Sequence, residues 1–430
     1  MKVYVGPASS LQGEVRAPSS KNYTSRYLWV SALTEGQSIV YFPAQNDDAL
    51  ALLSCCRRLG AKMSGEQDLI RIKGFGQKPL VPGTLDPGNG GLILRFLLAI
   101  GLFLPEVKFV TKHLDSLGKR PQGDLLKALR DLGAEVEDVD GHLPITIRGA
   151  RPLKRRDVTL SGLVSSQFAT ALLMVAPLLG GLSLTITDQL SSRPPLATTL
   201  QVMREAGVKT KVDWPNLSFE VPGGQYQPGE YRVPGDYPAA SALLAAAALL
   251  PSEVTLSNLY PDDQQGEKKI IPYLQQLGAK LVTEGNQLKI IGGDPLTAVD
   301  FYGDQAIDAV LSMAAIACYA KGVTRFLRVG NLRWKESDRI RDFARELKKI
   351  GVEIEAFNDH FMIKGNPGGY EGGVEIDTYQ DHRMVMTFSV LALRTRKGLM
   401  IKDAEHVSKS YPTFFSDLAS LGATVKVIAS

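Results

Sequence analysis

Ala128-Leu-Arg-Asp-Leu-Gly-Ala-Glu-Val-Glu137 reads as the end of a helix, a glycine, and the start of an alternating strand. The chain writes this passage six times: Arg58-Leu-Gly-Ala, Asp131-Leu-Gly-Ala, Glu205-Ala-Gly-Val, Gln276-Leu-Gly-Ala, Lys349-Ile-Gly-Val and Ser420-Leu-Gly-Ala. The glycines Gly60, Gly133, Gly207, Gly278, Gly351 and Gly422 follow one another at 73, 74, 71, 73 and 71 residues. A glycine just past a helix takes the left-handed conformation in which a side chain would clash. Six of them at a near-constant interval mean six copies of one supersecondary unit.

A second mark runs in phase with the first. Each copy holds an apolar, helix-length run that opens on polar or glycine residues: Ser19-Ser20-Lys21, Asn89-Gly90-Gly91, Ser165-Ser166-Gln167, Gly235-Asp236, Asp308 and Asp381-His382-Arg383. The runs behind them, such as Phe168 to Leu179, Ala239 to Leu250 and Met384 to Leu393, are apolar nearly all round and are expected to be buried. The unit reads as strand, buried helix, strand, amphipathic helix, glycine turn and strand pair. Helix N-termini carry free N–H groups and the positive end of the dipole, so six of them at equivalent places suit anions.

With 430 residues the chain exceeds what one core usually serves, and six repeats divide into three and three. Its 44% hydrophobic and 22% charged residues are ordinary for a globular protein, and a net charge of +4 is too mild to argue for nucleic acid. Three cysteines, two of them adjacent (Cys55, Cys56), give neither a disulfide framework nor metal spacing and fit a reducing cytoplasm. Met1-Lys-Val-Tyr-Val reads as a strand rather than a signal peptide, and the apolar run Tyr237 to Pro251 is too short to span a membrane.

Along the chain, Val3-Tyr-Val5 and Gly13-Glu-Val-Arg16 read as strands beginning the first repeat. Lys21, Asn22 and Arg26 then lie in the first turns of its buried helix, with Asn22 and Arg26 on one face. Asp86-Pro-Gly-Asn-Gly-Gly91 is a glycine-rich turn into the second buried helix, where Arg95 calls for an anionic partner. Lys119-Arg120-Pro121 is expected to open the following helix with proline at its first position. Lys409-Ser-Tyr-Pro412 is expected to open the last one. Pro222-Gly-Gly-Gln-Tyr-Gln-Pro-Gly229 is the linker candidate between the third and fourth repeats. The Gly235-Asp236 cap and its alanine-rich helix read as structural. In the fifth repeat Asn331-Leu-Arg-Trp-Lys-Glu-Ser-Asp-Arg339 is dense in both charge signs, and Trp334 within it suggests a packed segment.

These residues, in this order, resemble the 5-enolpyruvylshikimate-3-phosphate synthase family over the whole chain. Pro18-Ser-Ser-Lys-Asn-Tyr-Thr-Ser-Arg26 is similar to the family's Pro-Gly-Ser-Lys-Ser…Arg segment, and Gly88-Asn-Gly-Gly91…Arg95 to its Gly-Asn-Ala-Gly-Thr…Arg loop. Arg120-Pro121, Val164-Ser-Ser-Gln167, Lys335-Glu-Ser-Asp-Arg339, Asp381-His-Arg-Met384 and Lys409 fall in register. The resemblance implies an α/β fold, a two-domain inverse α/β barrel of six βαβαββ repeats of about 72 residues, three per domain. Its first domain is 19–231; the second is 1–18 plus 232–430. It implies substrates bound in a cleft as the domains close.

It also implies transfer of the enolpyruvyl group of phosphoenolpyruvate to the 5-hydroxyl of shikimate 3-phosphate, with release of phosphate and with no metal or organic cofactor. The expected phosphoenolpyruvate ligands are Lys21, Asn89, Gly91, Arg120, Gln167, Arg339, His382, Arg383 and Lys409. Those for shikimate 3-phosphate are Lys21, Asn22, Arg26, Ser165, Ser166, Gln167, Ser192, Asp308, Asn331 and Lys335. The expected catalytic residues are Asp308, Glu336, Lys21 and Lys409. Asp308 would take the hydroxyl proton, with Glu336 and Lys409 placed for the carbon proton. The implied partners are the two small substrates alone, without nucleic acid or membrane, for a monomeric cytoplasmic protein.

Four residues depart from the pattern. Asn22 replaces a Ser, Leu92 and Phe96 replace Thr and Pro, and Pro195 replaces a Tyr that packs on the shikimate ring. Glyphosate is the implied inhibitor at the phosphoenolpyruvate site. Bulk at Leu92 and Phe96 is expected to press Gly91 toward that site and weaken it. A sister enzyme acting on UDP-N-acetylglucosamine would carry a reactive Cys near Thr111 to Arg120, and none stands there. An RNA-phosphate cyclase relative calls for a basic, aromatic-lined path that the sequence lacks. A non-catalytic or altered-substrate homologue is the remaining alternative.

Overall fold

Residues 1–66, 68–190, 192–261 and 263–429 are described by the structure, a computed structural model. The six helix-ending glycines all adopt positive φ: 103° at Gly60, 110° at Gly133, 88° at Gly207, 114° at Gly278, 93° at Gly351 and 110° at Gly422. Each ends an amphipathic outer helix, from Asp47–Arg58 in the first repeat to Phe414–Ser420 in the last. The apolar runs are the inner helices. Lys21–Leu33, Gly91–Ile100 and Gln167–Val175 lie in one compact unit, Ser19–Val233. Tyr237–Leu249, Val310–Ala317 and His382–Ala392 lie in the other, Met1–Pro18 with Pro234–Ser430.

Among the described residues there are six four-stranded sheets with one plan: a parallel pair whose second strand continues into an antiparallel hairpin. Parallel neighbours need a crossover between them, and in four of the sheets the inner helix supplies it. Three repeats complete their sheets with distant strands. Gln37–Tyr41 takes Glu230–Arg232 as its parallel partner, and Ser252–Ser257 takes Leu11–Arg16. Lys2–Val5 lies antiparallel between Leu399–Ile401 and Val425–Ala429. The opening strands therefore belong to the sixth and fourth repeats, not to the first. Strand identity is local, but the choice of partner is made across hundreds of residues.

The 222–229 stretch is not a loose linker. Tyr226 is 1% exposed and its hydroxyl donates to the Met174 carbonyl at 2.8 Å. Tyr231 stacks on Tyr27 with centroids 4.8 Å apart, so the chain is packed back onto the first repeat before leaving at Val233.

Each unit has its own hydrophobic core built on its three inner helices. In Tyr237–Leu249 every residue is buried, and its alanines let Val310–Ala317 and His382–Ala392 pack closely against it. Ser241 donates to Ser312 at 2.9 Å inside that contact, satisfying a hydroxyl where no water reaches. Among the described residues no helix is long and apolar enough to cross a membrane.

Three helix starts differ from expectation. Pro121 precedes its helix, Gly123–Asp131, by two residues; Gln122 occupies the cap. Phe414–Ser420 likewise begins after Pro412. Asp308 sits in a short turn, Ile307–Ala309, just before Val310–Ala317.

Candidate active site

In the unit holding repeats four to six, the inner-helix N-termini meet an ionic network centred on Arg339. Arg339 is 2% exposed and its guanidinium grips Asp381 with Nε to Oδ2 at 2.7 Å and Nη2 to Oδ1 at 2.9 Å. The Arg339 Nη2 also donates to Glu336 Oε2 at 3.0 Å, and Nη1 lies 3.5 Å from Asp308 Oδ1. Asp381 is wholly buried and accepts two further bonds, from Ser337 Oγ at 3.0 Å and the Arg383 N–H at 2.9 Å. It thus caps His382–Ala392 while fixing Arg339. A buried carboxylate has roughly four lone-pair sites to satisfy, and Asp381 satisfies four.

The network runs outward from there. Glu336 turns its other oxygen to Lys409 Nζ at 2.9 Å, with both side chains nearly enclosed. Lys335 Nζ reaches Asp308 Oδ1 at 3.3 Å. Arg383 donates to the Pro238 carbonyl at 2.6 Å, which ties the first turn of Tyr237–Leu249 to the cluster. The fourth repeat, expected to be only structural, contributes that anchor. His382 is 2% exposed, with Nδ1 at 3.7 Å from Asp381. Burial alone would lower the Arg339 guanidinium pKa; Asp381 and Glu336 outweigh it and raise the pKa above the usual arginine value. Arg339 is therefore a fixed charge within the network.

The other unit builds its cluster on glycine and amide groups. Lys21 Nζ lies 3.3 Å from Asp48 Oδ2, at the start of Asp47–Arg58. A Cβ placed on Gly90 would stand 3.2 Å from Asp48 Oδ1, and one on Gly91 only 2.5 Å from Arg120 Nη1. The glycines let backbone and guanidinium approach closely. The Gln122 side chain accepts from Arg95 Nε at 3.2 Å and donates to the Arg120 carbonyl at 3.0 Å. Arg95 also donates to Gln167 Oε1 and lies over the Phe168 ring, 4.8 Å from its centroid. Lys21, Asn89, Gly91, Arg120 and Gln167 thus gather at the N-terminal ends of this unit's inner helices, with Ser165 Oγ accepting from the Gln167 N–H at 3.3 Å. Ser166 is the buried cap residue of Gln167–Val175, and Ser192 is buried ahead of Pro194–Glu205.

Arg26 is held firmly in place. It is fully enclosed, and its donors go to Thr199 Oγ1 (2.9 Å), the Asn22 carbonyl (3.0 Å) and the Pro195 carbonyl (2.9 Å). Burial pushes its guanidinium pKa down to about 10, and it works as a clamp from Lys21–Leu33 to Pro194–Glu205. Trp334 departs from expectation: it is 53% exposed, while its neighbour Leu332 enters the core and Asn331 is half-buried. Leu92 and Phe96 face the core, and Phe96 stacks on Trp29 with centroids 5.4 Å apart. Sequence reasoning missed Asp48, Gln122 and Ser337, which fix the ligating groups. Asp48 and Gln122 are marked neither by periodicity nor by a motif, while Ser337 lies inside Lys335-Glu-Ser-Asp-Arg339. Among the described residues no group of three or more His, Cys, Asp or Glu could hold a metal ion.

A family model described as EPSP synthase (3-phosphoshikimate 1-carboxyvinyltransferase) matches residues 5–418. The chain is 45% identical over 423 residues to the 3-phosphoshikimate 1-carboxyvinyltransferase of Deinococcus radiodurans, covering 98% of this chain and 96% of that one. It is 36% identical to that of Burkholderia pseudomallei, covering 98% and 95%. The fold is similar to a solved EPSP synthase from Acinetobacter baumannii, with a TM-score of 0.81 and 27% identity, covering 99% of this chain and 100% of that one. The two compact units, their repeated sheets and the full-length match agree, and the chain belongs to the EPSP synthase (3-phosphoshikimate 1-carboxyvinyltransferase) family.

Proposed function

We propose that this chain transfers the enolpyruvyl group of phosphoenolpyruvate to the 5-hydroxyl of shikimate 3-phosphate and releases phosphate. The observation that carries the reading is the Lys335–Asp308–Arg339–Glu336–Lys409 network, in which carboxylates are held beside fixed cations. Both substrates are polyanions, and preorganised cations replace the water they lose. Arg120, Arg339, Arg383, Lys409, Lys21, His382, Gln167, Asn89 and Gly91 serve phosphoenolpyruvate. Lys21, Asn22, Arg26, Ser165, Ser166, Gln167, Ser192, Asp308, Asn331 and Lys335 serve shikimate 3-phosphate.

The chemistry is addition followed by elimination. The 5-hydroxyl oxygen bonds to C2 of phosphoenolpyruvate as its proton passes to Asp308, and a proton is added at the C3 methylene. Elimination then breaks the C2–O bond to phosphate and removes one proton from the new methyl, regenerating the double bond. Glu336 and Lys409, 2.9 Å apart, are the pair that gives and takes the carbon proton. Lys21 steadies the departing charge. The protein acts in the cytoplasm, a reading that its cysteine usage supports, and as a monomer. The test is phosphate release that needs both phosphoenolpyruvate and shikimate 3-phosphate; release with either alone, or none with both, overturns the assignment. Light scattering of the purified chain checks the monomer.

A further inference from the structure

The glycine turn before Gly91–Ile100 and the loop that carries Arg120 leave neighbouring parallel strands, Thr84–Leu85 and Val107–Phe109. Each is folded on its own hydrogen bonds. In the turn, Asp86 Oδ1 accepts from the Gly88 N–H at 2.8 Å, and the buried Cys55 thiol donates to the Asp86 carbonyl at 3.2 Å. In the loop, the His113 carbonyl accepts from the Ser116 N–H at 3.2 Å and the Gly118 N–H at 3.0 Å, and the Leu117 carbonyl accepts from the Arg120 N–H at 3.1 Å. Thr111 ties the two together. Its hydroxyl donates to the Gly88 carbonyl at 2.7 Å and accepts from the His113 N–H at 3.0 Å. A carbonyl only accepts and an amide N–H only donates, so the one hydroxyl proton is committed to Gly88. At the far end of the loop the Arg120 guanidinium returns to the turn, where a Cβ on Gly91 would meet Nη1 at 2.5 Å. The contacts therefore close a circuit from the glycine turn through Thr111, His113 and Arg120 back to the glycine turn.

We propose that Thr111 is a positioning residue for phosphoenolpyruvate, its hydroxyl holding the glycine turn and the Arg120 loop at one fixed spacing; this rests on the assignment of Asn89, Gly91 and Arg120 as phosphoenolpyruvate ligands. The Gly88 carbonyl and the Asn89 N–H belong to one planar trans peptide and point in opposite directions. A hydroxyl that holds the carbonyl therefore also aims the N–H. Gly88 has a φ of 63° and no side chain to anchor it, so hydrogen bonds fix its peptide planes. Thr111 acts through Asn89 and Arg120 and needs no contact with the substrate. Ser165, Ser166 and Ser192, assigned to shikimate 3-phosphate, stand on other turns of the same unit and outside the circuit. Their placement does not depend on Thr111.

The test compares wild type with Thr111→Val, which keeps the branched shape and removes the hydroxyl, and with Thr111→Ser, which keeps the hydroxyl. With one hydrogen bond of ordinary strength lost, Thr111→Val should raise the KM for phosphoenolpyruvate by roughly three- to tenfold. The KM for shikimate 3-phosphate should stay within about twofold in the same variant, a split that a general loss of folding would not produce. Thr111→Ser should recover most of the loss. A smaller rise in Thr111→Val, equal rises for both substrates, or a serine variant no better than the valine variant overturns the proposal. Hydrogen exchange of the wild type, resolved to single amides, needs no variant. Among the described residues the Lys112 and Leu114 N–H groups make no hydrogen bond, whereas those of Gly88, His113 and Gly118 belong to the circuit. The three should exchange more slowly than the two, and equal exchange would mean that the circuit is not held in solution, which also overturns the proposal. A wild type that transfers no enolpyruvyl group overturns the functional assignment instead, while the exchange pattern, which needs no turnover, still reports on the circuit.

Discussion

Arg339 and Arg95 are both buried arginines beside the N-terminal ends of inner helices, and they are held by opposite chemistry. Arg339 faces Asp381, Glu336 and Asp308, so its charge is answered by carboxylates fixed in turn by a cap and a serine. Arg95 is met by the side-chain oxygens of Gln122 and Gln167 and by the Phe168 ring. The first arrangement can exchange protons, because its carboxylates are reactive groups as well as counterions. The second can only orient. Chemistry is expected in the ionic unit, and substrate selection in the amide and glycine unit.

The sharpest break of that comparison is kinetic. Losing a general acid or base costs about 10²–10⁴ in rate, so Asp308→Ala and Glu336→Gln should each lower kcat by that order with the fold intact. Gln122→Leu, in the other unit, should act mainly on the KM for phosphoenolpyruvate. Steady-state kinetics on the three variants separate the roles. A kcat within about threefold of wild type for either carboxylate removes it from the mechanism.

Stability sharpens the same contrast. Arg339→Met leaves Asp381 buried without its guanidinium, which typically costs about 3–5 kcal/mol. Arg95→Met leaves neutral amide oxygens unsatisfied, a loss of roughly 1–3 kcal/mol. Urea denaturation of each variant measures both, and equal losses would mean that the two arginines are held alike.

What could be read from the chain in advance follows the range of the physics. The six C-terminal glycines were legible because a left-handed residue is a local demand, and each has positive φ. The buried helices were legible from their lack of a polar face. Strand partners were not: Lys2–Val5 completes a sheet with Leu399–Ile401, and no property of either segment names the other. Trp334 misled because an aromatic among charges suggests packing, whereas Leu332 fills the core and Trp334 is exposed. The ligating residues came from motif order, which carries chemistry but not support. Asp48 and Gln122 support their cluster from stretches with no pattern. Arg26 shares a face with Asn22 as spacing implied, and its bonds to the Asn22 and Pro195 carbonyls fix it there.

Gly91 tests the selective half of the comparison. A methyl there would stand 2.5 Å from Arg120 Nη1, closer than a Cβ tolerates, so the tip of the buried Arg120 side chain must move from its place beside the glycine. Gly91→Ala should raise the KM for phosphoenolpyruvate by about 10–200-fold, or roughly 1–3 kcal/mol, with a smaller change in kcat. A fall in kcat with KM unchanged would instead place Arg120 among the groups that act only in the transition state.

The smallest effect concerns glyphosate at the same site. Leu92 and Phe96 looked able to press on the glycine turn, but both are in the core, and Phe96 is stacked on Trp29 at an interplanar angle of 6°. Their bulk is absorbed by packing, while the direction in which Gly91 would carry a side chain leads to Arg120. Leu92→Thr should therefore shift the glyphosate inhibition constant by less than about threefold, under about 0.7 kcal/mol, at fixed phosphoenolpyruvate. Phe96→Pro is a poor probe, because proline inside Gly91–Ile100 removes a helix hydrogen bond at a cost of about 3 kcal/mol and also loses the ring stack. If Leu92→Thr tightened inhibition by about tenfold, some 1.4 kcal/mol, the core side chain would be setting the position of Gly91 after all. Selection would then be controlled from the core of that unit, and not by the approach of Arg120 to the glycine.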